Sequence, residues 1–390
     1  MSFVLEKELI KINREIMKNI ASGLNKISSY VGKINKKKRR DRELQECFDQ
    51  IRLHSAKELE EQMEEYRSDE AHLNKLKEFN KRFLGGYNNI GWNMLLCTQT
   101  GIMSEKFIPE DVFVNHIEPR LNNVHHARSF QEKNNYDTIF QDIRRPETLV
   151  RYVNGTYFNA HYEHISLEEV MNILASHDNP LLLKPTLFSG RGRGIEIFQS
   201  GQEEELINFI HKNKSTHYSS IVQSWVNQHP ELAKVYSGSV NTLKTITLRI
   251  DGEIVHLMSR LNFGGGTSHT DKIGYIVGVN EEGQAQVIAF NKQTLKKQKI
   301  HNDSEIAFGS IHVPSFDKAV SMCKKAHQRL LHFDMVSWDI AIDSEGVPVL
   351  IELNIKSQGI VQMQLTNGPL FGEHTEKILQ NMNLNIYFNI

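Results

Sequence analysis

Hydrophobic positions at the start of the chain recur every three or four residues: Leu9, Ile12, Ile16, Ile20, Leu24, Ile27 and Val31, with Lys7, Lys11, Arg14 and Lys18 among them. That spacing predicts an amphipathic helix, broken at most at Gly23. The basic run Lys36 to Arg40 follows, then a strongly charged helical stretch from Asp41 to about Arg82, closed by Gly85-Gly86. Tyr87 to Asn123 is mixed, with breaks at Gly91, Gly101 and Pro109, and predicts short helices and loops. Ser129 to Gln141 again reads as helical. Beyond it the period changes from helical to alternating. Leu149 to Tyr152 and Gly155 to Asn159 predict short strands about an Asn154-Gly155 turn. Ser166 with Glu169 forms the capping box of a helix. Leu181 to Pro185 is a short buried strand, Ile195 to Phe198 another, and Glu203 to Asn213 a helix.

From Ile221 onward strands dominate: Ile221 to Val226, Leu243 to Ile250, Glu253 to Leu261, Gly274 to Val279 and Ala285 to Ala289, with turns at Asp251-Gly252 and Glu282-Gly283. A helix from Phe316 to His332 precedes a final hairpin. Val336 to Ile342 alternates apolar and polar, Asp343 to Gly346 is a turn, and Val347 to Leu353 returns antiparallel. The fold class is α+β with antiparallel sheets and a mostly helical N-terminal extension. The expected division is 1–84 (helical extension), 85–128 (mixed), 129–220 (a smaller subdomain) and 221–390 (a larger one).

Composition narrows the function classes. The chain has 390 residues, 39% hydrophobic and 24% charged, and a net charge of −1, which gives no global pull toward nucleic acid or membrane. Cys47, Cys97 and Cys323 fit no zinc spacing and suit a reducing compartment. No apolar run reaches the roughly 18 to 20 residues that span a bilayer, and the first residues lack a secretory apolar core, so a cytoplasmic placement is expected. Residues 1–40 leave two readings open. A basic amphipathic helix with a polybasic tail suits peripheral contact with an anionic membrane surface; the same pattern suits a helix docked on its own protein.

The final hairpin carries the candidate chemistry. On a strand, residues two apart share a face, so Glu352 and Asn354 point the same way, and folding back across the turn brings Asp339 beside them. Two carboxylates and an amide oxygen form a hard-oxygen set suited to Mg²⁺ and nucleotide phosphates; a solvated acidic face is the bland alternative. Gly190-Arg191-Gly192-Arg193-Gly194 lies between two strands, with Lys184 at the end of the first. Glycines let backbone N–H groups approach phosphate oxygens, and the arginines add charge, although a flexible hairpin tip fits as well. The spacing is neither a Walker loop nor a dinucleotide-binding turn.

Taken together, Lys184 before a glycine-rich hairpin, Gln223 to Val226, Asp339, and Glu352 with Asn354 resemble the ATP-grasp superfamily. The 13-residue interval from Asp339 to Glu352 is similar to that of D-alanine–D-alanine ligases. Asn241 to Leu248, Ile311 to Pro314, Val336 to Asp339 and Gln364 to Gly372 resemble, more narrowly, the sugar-transfer-associated ATP-grasp group, over roughly Asn122 to Gly372. The resemblance implies an ATP-grasp fold of two α+β subdomains gripping ATP. It also implies an ATP- and Mg²⁺-dependent ligase that joins a carboxylate to an amine through an acylphosphate, linked with bacterial cell-surface polysaccharide pathways. Its partner would be a small-molecule or glycan acceptor.

Position by position, the resemblance makes Lys133 and Lys184 phosphate lysines and Gln223, Trp225 and Val226 the adenine segment. Asp339 and Glu352 become ligands of two Mg²⁺ ions, with Asn354 completing one shell. Arg249 and Arg260 are candidates for the γ-phosphate or acceptor carboxylate, since arginine binds both bidentately, and Lys244, Arg249 or Arg260 could supply the charge that the family places two residues before the metal aspartate. The residues of the loop Gly264 to His269 suit either a lining of the acceptor pocket, with His269 as a candidate general base, or a flexible hairpin tip. Three positions depart from the family pattern: Ser337 where an arginine is usual, Gln358-Gly359 for Pro-Gly, and Gln223 for an acidic residue. The same ATP site would serve a kinase acting on a sugar hydroxyl, and a non-catalytic nucleotide-binding scaffold is the rival from another class. His125-His126 and His161/His164 read as surface or hydrogen-bonding residues.

Overall fold

Strand pairing sorts the chain into two antiparallel sheets among the residues that the computed structural model describes, which are 41–52, 55–187, 194–213, 219–266, 273–382 and 384. Chain contacts divide it into a unit of residues 1–50, of which the described part, 41–50, is helical, and a unit of residues 51–390. The amphipathic pattern of residues 1–40 lies outside the described residues. No described helix is long and apolar enough to cross a membrane.

The smaller sheet joins β1 (Thr148–Val153), β2 (Thr156–Asn159), β3 (Leu181–Pro185), β4 (Glu196–Phe198) and β5 (Ser219–Ser224) in the order β2-β1-β5-β3-β4. The larger joins β6 (Thr242–Ile250), β7 (Glu253–Phe263), β8 (Tyr275–Val279), β9 (Ala285–Asn291), β10 (Lys297–Gln298), β11 (Met335–Ile342) and β12 (Pro348–Asn354) in the order β10-β9-β8-β7-β6-β11-β12. Turn chemistry sets the hairpins. Asn154 and Gly155 have φ of 50° and 88°, and Asp251 and Gly252 of 52° and 86°. Both central residues are left-handed, which is the demand of the turn that matches strand twist. The capping box forms as its residues dictate: Ser166 Oγ accepts from the Glu169 N–H at 3.2 Å, and Glu169 Oε2 accepts from the Ser166 N–H at 2.7 Å.

Several helices differ from the pattern reading. The helix expected over Ser129 to Gln141 is broken into Ala127–Gln131 and Tyr136–Ile139 around a tight turn, Lys133–Asn135. The reason is Glu132, whose side chain accepts from the Asn134 N–H at 3.1 Å and competes with the helical bond. The helix expected to reach His332 stops at His327. Helices at Val361–Asn367 and Thr375–Met382 add to the elements expected from the sequence.

One face of the larger sheet packs under helix Phe316–His327 through Trp338, Ile340, Ile342, Leu350 and Leu353. On the other face Ile246, Leu248, Met258 and Met335 are covered by residues from the 79–121 region and by Ile360, Met363 and Phe371. Under the Phe316–His327 helix, His327 is fully buried in a closed relay. Trp338 Nε1–H donates to Thr247 Oγ1 (2.8 Å), which donates to His327 Nδ1 (2.8 Å), and Nε2–H donates to the Phe333 carbonyl (2.8 Å). Burial pushes His327 down to about 4. The unfolded chain takes up a proton near pH 6.5 and the folded chain only near 4, so stability is full above 6.5 and falls as pH drops through this window. We expect wild type to lose roughly 2–3 kcal/mol more than His327→Gln between pH 7 and 4.5. Urea unfolding at both pH values checks this; equal losses would mean that His327 is not the acid-sensitive group.

Candidate functional site

Cross-strand register builds the site. Asp339 of β11 lies opposite Glu352 of β12 on one side and Lys244 of β6 on the other, and Ser337 lies opposite Asn354. The pairing jumps from Asp339↔Glu352 to Ile340↔Leu350, so Ile351 is the extra residue of a β-bulge. The bulge explains how Leu350 and Leu353, three apart, both reach the core under the helix, while Glu352 and Asn354 stay on the face of Asp339. Lys244 Nζ lies 3.0 and 3.1 Å from the two Asp339 oxygens, and Asn354 Nδ2 donates to Asp339 Oδ2 at 2.9 Å.

Two more lysines reach this face from outside the larger sheet. Lys133, on the turn between the broken helices, is 4% exposed; its Nζ is 3.0 Å from Glu352 Oε1 and 3.5 Å from the Thr186 carbonyl. The turn is pinned by Glu132, whose Oε2 accepts from Thr186 Oγ1 at 2.9 Å, and by Arg151 and Tyr162, which both donate to the Asn134 carbonyl. Lys184 of β3 is 3% exposed and, among the described residues, forms no ion pair. Burial and the nearby Lys133 charge push it down to about 7, against the opposing pull of Glu352. Three lysines thus face two carboxylates, and the surplus cation is the most buried of them. Such a cluster attracts a polyanion.

The remaining candidates divide. Arg260 is the cross-strand partner of Lys244 and joins the face, with Nη2 donating to Gln362 Oε1 at 3.0 Å and a further bond to Asn262. Arg249 does not join it. An odd number of residues from Lys244 on the same strand, it projects from the opposite face, where it donates to the His327 and Leu330 carbonyls (3.2 and 3.4 Å) at the end of the helix. Gln223 is buried on β5; its Nε2 donates to Thr148 Oγ1 at 3.2 Å and its Oε1 has no partner among the described residues. Trp225 and Val226 follow, half-buried, in the linker toward the larger sheet, where the Trp225 N–H donates to the Pro180 carbonyl at 3.0 Å.

Gly190, Arg191, Gly192 and Arg193 lie outside the described residues; Gly194, at φ 71°, leads into β4. Of the loop Gly264 to His269, only Gly264–Gly266 is described. A Cβ on Gly264 would sit 2.4 Å from both Ser239 Oγ and Tyr236 Cε1, so this close approach requires glycine. His126 stacks on His332 at 4.4 Å, and no group of three or more His, Cys, Asp or Glu able to hold a metal ion occurs among the described residues.

Ser337, one of the departures from the family pattern, donates to Gln358 Oε1 at 2.6 Å, and Gln358 Nε2 donates to the Met335 carbonyl at 3.3 Å. Pattern reading missed the residues that hold this loop from afar. Glu118, Glu110 and Asn122 are buried polar groups, 5% exposed or less, in the 85–128 segment. The only trace in the sequence was three polar residues among the apolar positions of short helices.

The donor chemistry fits Mg²⁺. Asp339 and Glu352 offer carboxylate oxygens and Asn354 an amide oxygen on one face, a hard, low-count set that leaves room for phosphate oxygens and water. A five-stranded and a seven-stranded antiparallel sheet, with lysines and carboxylates gathered in one cluster, define an α+β protein. The model of the sugar-transfer-associated ATP-grasp family matches residues 113–380, more than half of the chain, and the chain belongs to that family. This places it in the ATP-grasp ligase superfamily, whose fold is that of ATP-dependent enzymes.

Among solved structures, the D-alanine–D-alanine ligase of Bacillus anthracis is 14% identical over 65% of this chain and 65% of its own, with a TM-score of 0.37. An L-amino acid ligase of Bacillus licheniformis is 16% identical over 67% and 48%, at 0.38. The biotin carboxylase domain of the Hydrogenobacter thermophilus 2-oxoglutarate carboxylase, solved with MgADP, ADP and bicarbonate, is 12% identical over 76% and 56%, at 0.38. The chain spans less than two thirds of the length of each, and the family match carries the assignment. A search of curated proteins finds no match.

Proposed function

We propose that the protein is an ATP- and Mg²⁺-dependent ligase that joins a carboxylate to an amine through an acylphosphate, modifying a sugar or glycan precursor of a cell-surface polysaccharide. The observation that carries this reading is the surplus of buried lysines over carboxylates around Asp339, Glu352 and Asn354. Lys133 and Lys184 hold the α- and β-phosphates as point charges. Lys244 and Arg260, adjacent across β6 and β7, neutralise the γ-phosphoryl group and orient the incoming carboxylate. Asp339, Glu352 and Asn354 would hold Mg²⁺, which when bound offsets charge on the phosphate oxygens.

A carboxylate oxygen attacks the γ-phosphorus and ADP leaves; the amine nitrogen then attacks the acyl carbon, phosphate leaves, and the amine proton passes to solvent. Gln223, Trp225 and Val226 flank the adenine. Contact of residues 1–40 with an anionic membrane face belongs to the same proposal.

The test is ³¹P NMR of the full chain with Mg²⁺, ATP and the small-molecule pool of its source cells, with Glu352→Ala as the blank. Acceptor-dependent ADP and free phosphate, with a new amide in the products, is the expected result. A new phosphoester resonance would replace the ligase by a kinase, and the absence of wild-type-specific turnover would overturn the reading.

A further inference from the structure

The loop leaving β12 is held by carboxylates from a distant part of the chain. Glu118 Oε2 accepts the Ser357 N–H at 2.9 Å and Oε1 the Gln358 N–H at 3.0 Å, with only 2% of Glu118 exposed. Glu110, 5% exposed, accepts the Ile360 N–H at 2.9 Å. Asn122 Nδ2 donates to the Ile355 and Met335 carbonyls at 2.7 and 2.8 Å, and its Oδ1 accepts the Met335 N–H at 3.0 Å. The Gln358 side chain returns to Ser337, the register partner of Asn354. These bonds close a ring: Asn354, the loop backbone, Gln358, Ser337, and across the strand pair to Asn354 again.

Within the ring, Ser357 is left-handed at φ 58° without being glycine. A conformation of that kind is unfavourable for a residue with a Cβ and persists only where its surroundings impose it. Two charge-assisted bonds from one buried carboxylate are a sufficient cause.

We infer that Glu118 is a positioning residue for the metal end of the site, holding the backbone of Ser357 and Gln358 so that Asn354 keeps its place beside Asp339. The inference rests on the nucleotide–Mg²⁺ reading above. It makes the 85–128 segment a working part of the site rather than an appendage. Outer-shell groups that orient metal-binding side chains act in this way, and their loss costs about 10- to 100-fold in metal affinity.

The test is calorimetric titration of the full chain with ADP, in EDTA and in saturating Mg²⁺, for wild type and Glu118→Gln. The glutamine keeps the shape but loses the charge and turns one N–H donor toward the loop. ADP affinity in EDTA, which reads the lysines, should stay within about twofold, while the gain in affinity from Mg²⁺ falls about tenfold. Hydrogen exchange of the peptide covering 354–360 should quicken. Should Glu118→Gln fail to fold, Gln358→Met opens the same ring from the other side and should show the same selective loss.

An Mg²⁺ gain equal to wild type would overturn the role of Glu118. So would an equal loss of affinity with and without Mg²⁺, which is the mark of a merely structural residue. A wild-type protein whose ADP binding ignores Mg²⁺ would overturn the nucleotide–metal reading itself, and this inference with it.

Discussion

Glu352→Ala is expected to lower ATP consumption by about 10²- to 10³-fold, the usual scale for removing one group that faces developing charge, and to destabilise the fold in the same stroke. The two effects have separate causes. Turnover falls because one of the two carboxylates proposed to hold Mg²⁺ is gone. Stability falls because Lys133, 4% exposed, loses the carboxylate 3.0 Å away. Breaking a fully buried pair costs about 3–5 kcal/mol; Glu352 keeps 26% of its side chain exposed, so water screens part of that. We therefore expect a loss of roughly 2 kcal/mol in urea unfolding. The double variant Glu352→Ala/Lys133→Met separates the causes, since it should recover most of the stability and none of the turnover. If Glu352→Ala consumes ATP at the wild-type rate, the proposed role of Glu352 is wrong. If stability does not change, the pair with Lys133 contributes nothing to the fold.

How far this cluster was legible in the sequence follows from the range over which each residue acts. Asp339, Glu352 and Asn354 lie on two strands joined by a tight turn, so local alternation sufficed to bring them together. The bulge at Ile351 was not legible, because nothing in Val-Leu-Ile-Glu-Leu-Asn marks which residue is extra. It left the result unchanged only because it falls before Glu352. Lys184 was legible from its place at the end of an apolar strand.

Arg249 was a different matter. The alternation that united Glu352 with Asn354 also separates Arg249 from Lys244, so the information was present and the pairing rule alone would have set it on the helix side. Glu118 and Glu110 were beyond local reading: their partners lie 239 to 250 positions away, and no period in either segment announces the contact. The family match starts at residue 113, inside the segment taken as separate, and Glu118 and Asn122 bind the strand end directly.

Lys184→Met is expected to stabilise the free protein while weakening nucleotide binding by about 100-fold, the worth of one or two charge-assisted phosphate contacts. In the free protein burial, and after it the nearby Lys133 charge, push the Lys184 ammonium down to about 7, against 10.5 for an ordinary lysine. Between those two pH values the unfolded chain carries the proton and the folded chain does not. Wild-type stability therefore rises with pH across this window, by up to about 1.4 kcal/mol per pH unit, and is flat in this respect below pH 7. Lys184→Met lacks that slope, so its advantage over wild type should be largest at pH 6 and shrink toward pH 9.

Nucleotide binding runs the other way. A phosphate beside Lys184 restores the charged form, so binding at pH 8.5 takes up about one proton and wild-type affinity falls by up to tenfold per pH unit above 7. ADP titrations in buffers of different ionisation enthalpy read the proton directly. If the stability gap stays constant from pH 6 to 9 and no proton is taken up, Lys184 carries its charge throughout. The proposed uptake of a proton on nucleotide binding would then be wrong.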